Sequence, residues 1–129
     1  MSKLIPIRAD RNLSRQRPVI ELTRFGKLLC HEKSSNRWFR SSQWKVEDQL
    51  AQFQGLYENL GEASLNDLFD LLNIQETTEG RIYGWNTVIH GTGMLLNVEL
   101  VEKNYMLMDE PVLVITPNCY PEKDYKDNF

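Results

Sequence analysis

Residues 42–61 read SQWKVEDQLAQFQGLYENLG, and this stretch decides the fold. Apolar side chains fall at Val46, Leu50, Phe53, Tyr57 and Leu60, in alternating steps of four and three. That spacing puts them on one face of an α-helix. Trp44 and Leu56 widen the face. Ser41-Ser42 offers a hydroxyl to the free N–H groups of the first turn, as an N-cap does. Gly61 follows the last apolar position, where a helix end favours a left-handed residue. The pattern predicts a helix over 43–60 whose apolar face needs a surface to cover.

The flanking sequence supplies that surface. Upstream, Lys27–His31 and Arg37–Arg40 read as the strands of a β-hairpin around the polar cluster 32–36. Val19–Leu22 is a shorter strand candidate. Downstream, Ser64 and Asp67 mark the start of a second helix with an apolar face at Leu65, Leu68, Phe69, Leu71 and Leu72. Asn73 can end it. Only a few residues join the two helices, which suggests a helical hairpin or corner. Thr87–Gly93 reads as a turn between strands. Met94–Val101 and Val112–Thr116 read as a strand pair closed by Pro117 and Pro121. The expected class is α+β: a mainly antiparallel sheet, made of the N-terminal hairpin and the C-terminal strand pair, covered by two helices. Residues 1–18 form a basic arm, 19–121 one domain, and 122–129 a charged tail.

The 129 residues fit one domain, long enough to bury a core without disulfides or metal. Hydrophobic residues make up 41% and charged residues 26%, as in ordinary globular chains, which argues against a disordered or fibrous protein. No apolar run approaches the roughly 18 residues of a membrane helix. No apolar segment near the start suggests a secretory signal. The net charge of −3 conceals a partition. Residues 1–45 carry eleven Lys or Arg and three acids, whereas the remainder carries four and fifteen. A chain divided in this way can pair its halves, pair head to tail with a copy, or offer its basic end to an acidic partner.

Several motifs then line up in order: Arg37-Trp38-Phe39-Arg40-Ser41 before the long helix, Ala63-Ser64-Leu65-Asn66-Asp67-Leu68-Phe69 and Leu71-Leu72 after it, Glu79-Gly80-Arg81-Ile82-Tyr83-Gly84-Trp85, and a strand pair ending in Pro117, Tyr120 and Pro121. Over roughly residues 27–121 this order resembles an uncharacterised family of proteins carried by phages and integrative elements of Gram-positive bacteria. The resemblance implies an origin in a mobile element, with a place in the bacterial cytoplasm or the virion. It implies no activity.

Little in the chain looks catalytic. Cys30 and His31 are neighbours on a strand and point to opposite faces, so they cannot act as nucleophile and base. Cys119 and His90 are remote from them, and the four lack the paired spacing of a zinc site. His90-Gly91-Thr92-Gly93 lacks the length and the Lys of a phosphate-binding loop. No enzyme activity, cofactor or metal is expected. The arm is different. Arg8, Arg11, Arg15 and Arg17 suit bidentate contacts to carboxylate or phosphate. Tyr83 and Trp85 are candidates for a partner surface, where aromatics are enriched, with a place against the core as the competing reading. The expectation is a binding or assembly module whose arm lies on a neighbouring subunit. Two alternatives stand beside it: an accessory protein binding nucleic acid through the arm, and an acidic-surfaced binder or inhibitor of a host protein. No membrane partner is expected.

Overall fold

The computed structural model describes residues 18–127. The basic arm, with Arg8, Arg11, Arg15 and Arg17, lies outside the described residues, apart from Pro18 at its root. The fold is α+β with two sheets. A five-stranded sheet has the order β1-β3-β2-β7-β6, formed by Ile20–Leu22 (β1), Leu28–Glu32 (β2), Arg37–Ser41 (β3), Leu96–Val101 (β6) and Val112–Pro117 (β7). A smaller antiparallel sheet joins Glu62–Ser64 (β4), Tyr83–Asn86 (β5) and Glu122–Lys123 (β8). The helices are Gln43–Leu60 (α1), Leu65–Leu72 (α2) and the single turn Thr87–His90 (α3).

The hairpin forms as expected: β2 and β3 pair antiparallel, with His31 opposite Trp38. Asn36 turns the corner at φ 56°, a left-handed conformation that Asn tolerates. The large sheet, however, is mixed rather than mainly antiparallel. β7 runs parallel to β2, and β1 runs parallel to β3. The helical crossover that follows the hairpin brings the chain back so that β7 aligns with β2.

α1 covers one sheet face. Val46, Leu50, Phe53 and Tyr57 are buried against Cys30, Phe39, Leu113 and Ile115 of the sheet and Leu68, Phe69 and Leu72 of α2. Trp44 and Leu60, assigned to the same face by spacing, are instead exposed. They sit at the helix ends, beyond the edge of what the helix covers. Gly61 is left-handed at φ 78°, and its N–H donates to Tyr57 O at 2.8 Å. Ser42 is the N-cap by backbone geometry only: Val46 N–H bonds its carbonyl, while its buried hydroxyl has no partner among the described residues. The Ser64–Asp67 capping box of α2 is complete, with Asp67 N–H donating to Ser64 Oγ at 3.0 Å and Ser64 N–H to Asp67 Oδ2 at 2.9 Å. Asn73 ends the helix in the left-handed region.

Three segments depart from the sequence reading. The helices are joined through strand β4, and the expected turn at 87–93 begins with α3. Residues 122–126, read as a charged tail, pack onto the body: β8 pairs with Tyr83 and Gly84, and Tyr125 is buried behind it. Asn86 holds this end by donating from Nδ2 to Tyr125 O. The Tyr125 ring lies against β5 next to Gly84, where a side chain would collide with it.

Candidate functional site

The root of the arm is a rigid part of the sheet. Ile20 stands opposite Trp38 in the parallel β1–β3 pair, so the chain leaves beside Asn36 and Arg37. Glu21 locks this point. Its carboxylate accepts from Arg37 Nη2 and from Gln75 N–H at 2.7 Å. Arg37 Nη2 also donates to Gln75 O at 2.9 Å, and its guanidinium lies 4.5 Å from the Phe69 ring centre. One ion pair thus ties together the arm root, the hairpin and the link after α2.

A cavity of about 410 Å³ opens at the same end of the sheet, walled by Ser34, Ser35, Arg37, Phe69, Glu79 and Tyr83 among others. Asn66 props its far wall by bonding both backbone groups of Thr77, through Nδ2 to Thr77 O at 2.8 Å and from Thr77 N–H to Oδ1 at 2.9 Å. The serine hydroxyls are already engaged. Both donate to the buried carboxylate of Glu32, Ser35 Oγ at 2.6 Å, and both backbone N–H groups do so as well. The acceptor capacity of Glu32 therefore goes into closing the hairpin turn.

Of the candidate contact aromatics, Tyr83 is half-buried on the cavity wall. Trp85 is fully buried, edge-on to Phe53 with ring centres 5.6 Å apart. Its Nε1–H donates to Cys119 O at 2.8 Å, so Trp85 belongs to the core. Cys30 and His31 do face opposite sides of the sheet. Burial pushes the Cys30 thiol up to about 12, and its Sγ donates to Leu28 O. Burial also raises the Cys119 thiol, which lies 3.6 Å from Asn118 Oδ1, and His90 Nδ1 accepts from Asn86 N–H. Among the described residues no group of three or more His, Cys, Asp or Glu could hold a metal ion, and no helix is long and apolar enough to cross a membrane.

The sheet face away from the helices carries a cluster that sequence reading missed. His31 stacks on Trp38 at 4.0 Å and binds Tyr105 Oη and Asn36 Oδ1, each at 2.7 Å. An amide oxygen only accepts, so Nε2 carries the proton and Nδ1 accepts from the tyrosine hydroxyl. Tyr105 thereby fixes the 102–111 connection over Leu29, Trp38, Val112 and Val114. The signal was present in the hairpin register, which alone pairs His31 with Trp38. Burial lowers the His31 pKa below its ordinary 6.5, overcoming the Asn36 bond and the nearby Glu32 charge, which act upward; Lys33 adds a smaller downward push. The unfolded chain therefore takes up the proton first as the pH falls. Stability conferred by neutral His31 is complete above pH 6.5 and declines as the pH drops through the window beneath it. One proton limits the slope to about 1.4 kcal/mol per pH unit. Urea midpoints at about pH 7.5 and about pH 5.5 should show this decline. His31→Phe, which keeps the stack and removes the titration, should show less of it. An equal decline in the variant would place the pH sensitivity elsewhere.

The chain matches the family described as "Family of unknown function (DUF6353)" over residues 6–126 and belongs to that family. The match takes in Arg8, Arg11, Arg15 and Arg17 together with the described body. No curated protein and no solved structure matches the chain.

Proposed function

We propose that this protein is a non-enzymatic assembly module of phage or mobile-element origin, whose basic arm lies on the acidic body of a neighbouring copy. The phage origin, and a place in the virion or the bacterial cytoplasm, rest on the resemblance of the motifs at 37–41, 63–72 and 79–85. One observation carries the assembly reading: opposite charge is segregated along the chain, with a net-basic arm on a net-acidic body. Residues 1–17 hold five Lys or Arg and one Asp, while residues 18–129 hold ten and seventeen. The arm joins the body at β1, whose Glu21 is paired inward with Arg37. The arm thus leaves a firm edge of a body that attracts it. The match to the family from residue 6 supports treating arm and body as one working unit.

The test is the mass in solution of the intact chain and of a chain lacking residues 1–17, at low and high salt. The intact chain is expected to self-associate at low salt and to dissociate as salt screens the contact. The truncated chain is expected to stay folded, because both cores are built from residue 20 onward, and to remain a monomer. A truncated chain that assembles like the intact one overturns the proposal. A monomeric intact chain that instead shifts DNA or RNA fragments, with salt-sensitive affinity lost on replacing the four arginines, establishes the nucleic-acid alternative.

A further inference from the structure

The proposed assembly leaves open which surface receives the arm, and the large sheet offers one with suitable shape and charge. β6 is an edge strand: it pairs with β7 on one side, and among the described residues no strand pairs with its other side. Alternate residues of such an edge present unused N–H and C=O groups. Along this edge runs a groove of about 440 Å³, with Glu47, Ala51 and Gln54 of α1 on one wall and Leu95, Leu96 and Val98 on the other. The surroundings are acidic. Glu47 lines the groove, Asp48 follows it on the helix, Glu99 lies on the other face of the edge strand and Glu102 just past it; all are exposed, and none is paired with a cation among the described residues.

Resting on the assembly reading above, we infer that the groove between α1 and β6 is the acceptor site, and that its occupant is the N-terminal arm of a second copy, added as a strand to the open edge. The arm sequence suits the task. Leu4, Ile5 and Ile7 can supply apolar side chains to the strip formed by Leu95, Leu96 and Val98, while Lys3 and Arg8 flank them to meet the carboxylates. Pro6 is tolerated there because an added outermost strand needs no N–H donor on its free side. Strand addition takes affinity from backbone hydrogen bonds and selectivity from the side-chain groove. To reach the groove of its own body the arm must cross the whole width of the sheet. β1 and β6 are opposite edges of the sheet, separated by four strand spacings or about 19 Å. A copy placed edge to edge presents its groove directly beside the departing arm. The contact is heterologous, so each copy gives one arm and receives another.

Two full-length variants test this by complementation. One replaces Arg8, Arg11, Arg15 and Arg17 with Ala and keeps the groove. The other carries Glu47→Lys and Ala51→Lys, both exposed on α1, and keeps the arm. Each alone should self-associate more weakly by about tenfold or more, the scale on which interfacial charge acts. Mixed, they should form a 1:1 heterodimer and stop there, because only one arm and one groove remain functional. Unchanged association of the groove variant, in a protein whose arm deletion does abolish assembly, overturns the acceptor site and leaves the assembly proposal standing. Failure of the mixture to form a heterodimer shows the arm on its own body and overturns the trans contact. If the arm deletion itself has no effect, the assembly reading falls first.

Discussion

Phe53→Ala should destabilise the protein by about 3–5 kcal/mol, the range for removing a fully buried aromatic ring. Phe53 is inaccessible to solvent and stands at the centre of the main core, edge-on to Trp85. It joins α1 to the small sheet and, through the same cluster, to Phe39 and Leu113 of the large one. Its removal leaves a cavity that α1 cannot close, because Val46, Leu50 and Tyr57 hold the helix against the sheet on either side. Against a typical total of about 5–15 kcal/mol, this is a large share of the stability. Urea titration followed by tryptophan fluorescence measures it, since Trp85 reports on the same contact. A loss near zero would mean that α1 does not pack by this face.

Gly84→Ala should cost about 3 kcal/mol, the upper end of the range for overpacking, although it adds a single methyl group. A Cβ at this position would lie 2.4 Å from Ala63 O and 2.9 Å from Ser64 Cα, both backbone atoms of β4, and 2.7 Å from Tyr125 Cε1. The tyrosine ring can swing away. The β4 backbone cannot, because it pairs with β5 and is gripped by the capping box of α2. The same denaturation assay is sufficient. A variant as stable as the parent would show that β4 and β5 do not approach so closely.

The sequence was most informative where one periodicity acted alone. The four-and-three spacing of Val46, Leu50, Phe53 and Tyr57 specified α1, and the Ser64–Asp67 pair specified the start of α2. Local signals were weaker guides to what depends on distant partners. The parallel pairing of β2 with β7 joins residues 29–32 to 112–115, and no local pattern encodes strand direction across such a gap. Burial of Tyr125 depends on a space left by Gly84, forty-one residues earlier. For Trp85 the sequence favoured the core over a partner surface, and the structure supplies the contacts that sequence could not name, Phe53 edge-on to its ring and Cys119 O on its N–H. For the candidate site, charge segregation was legible from the order of charged residues along the chain, whereas the acceptor groove needed strand order: only the topology makes β6 an edge.

The central claim, that the basic arm binds the acidic body, is tested most directly by titrating a synthetic peptide of residues 1–17 into the chain that lacks them. The account predicts saturable 1:1 binding that weakens steeply with added salt and disappears when the four arginines of the peptide become alanine. Absence of binding at low salt, or binding indifferent to the arginines, would contradict it.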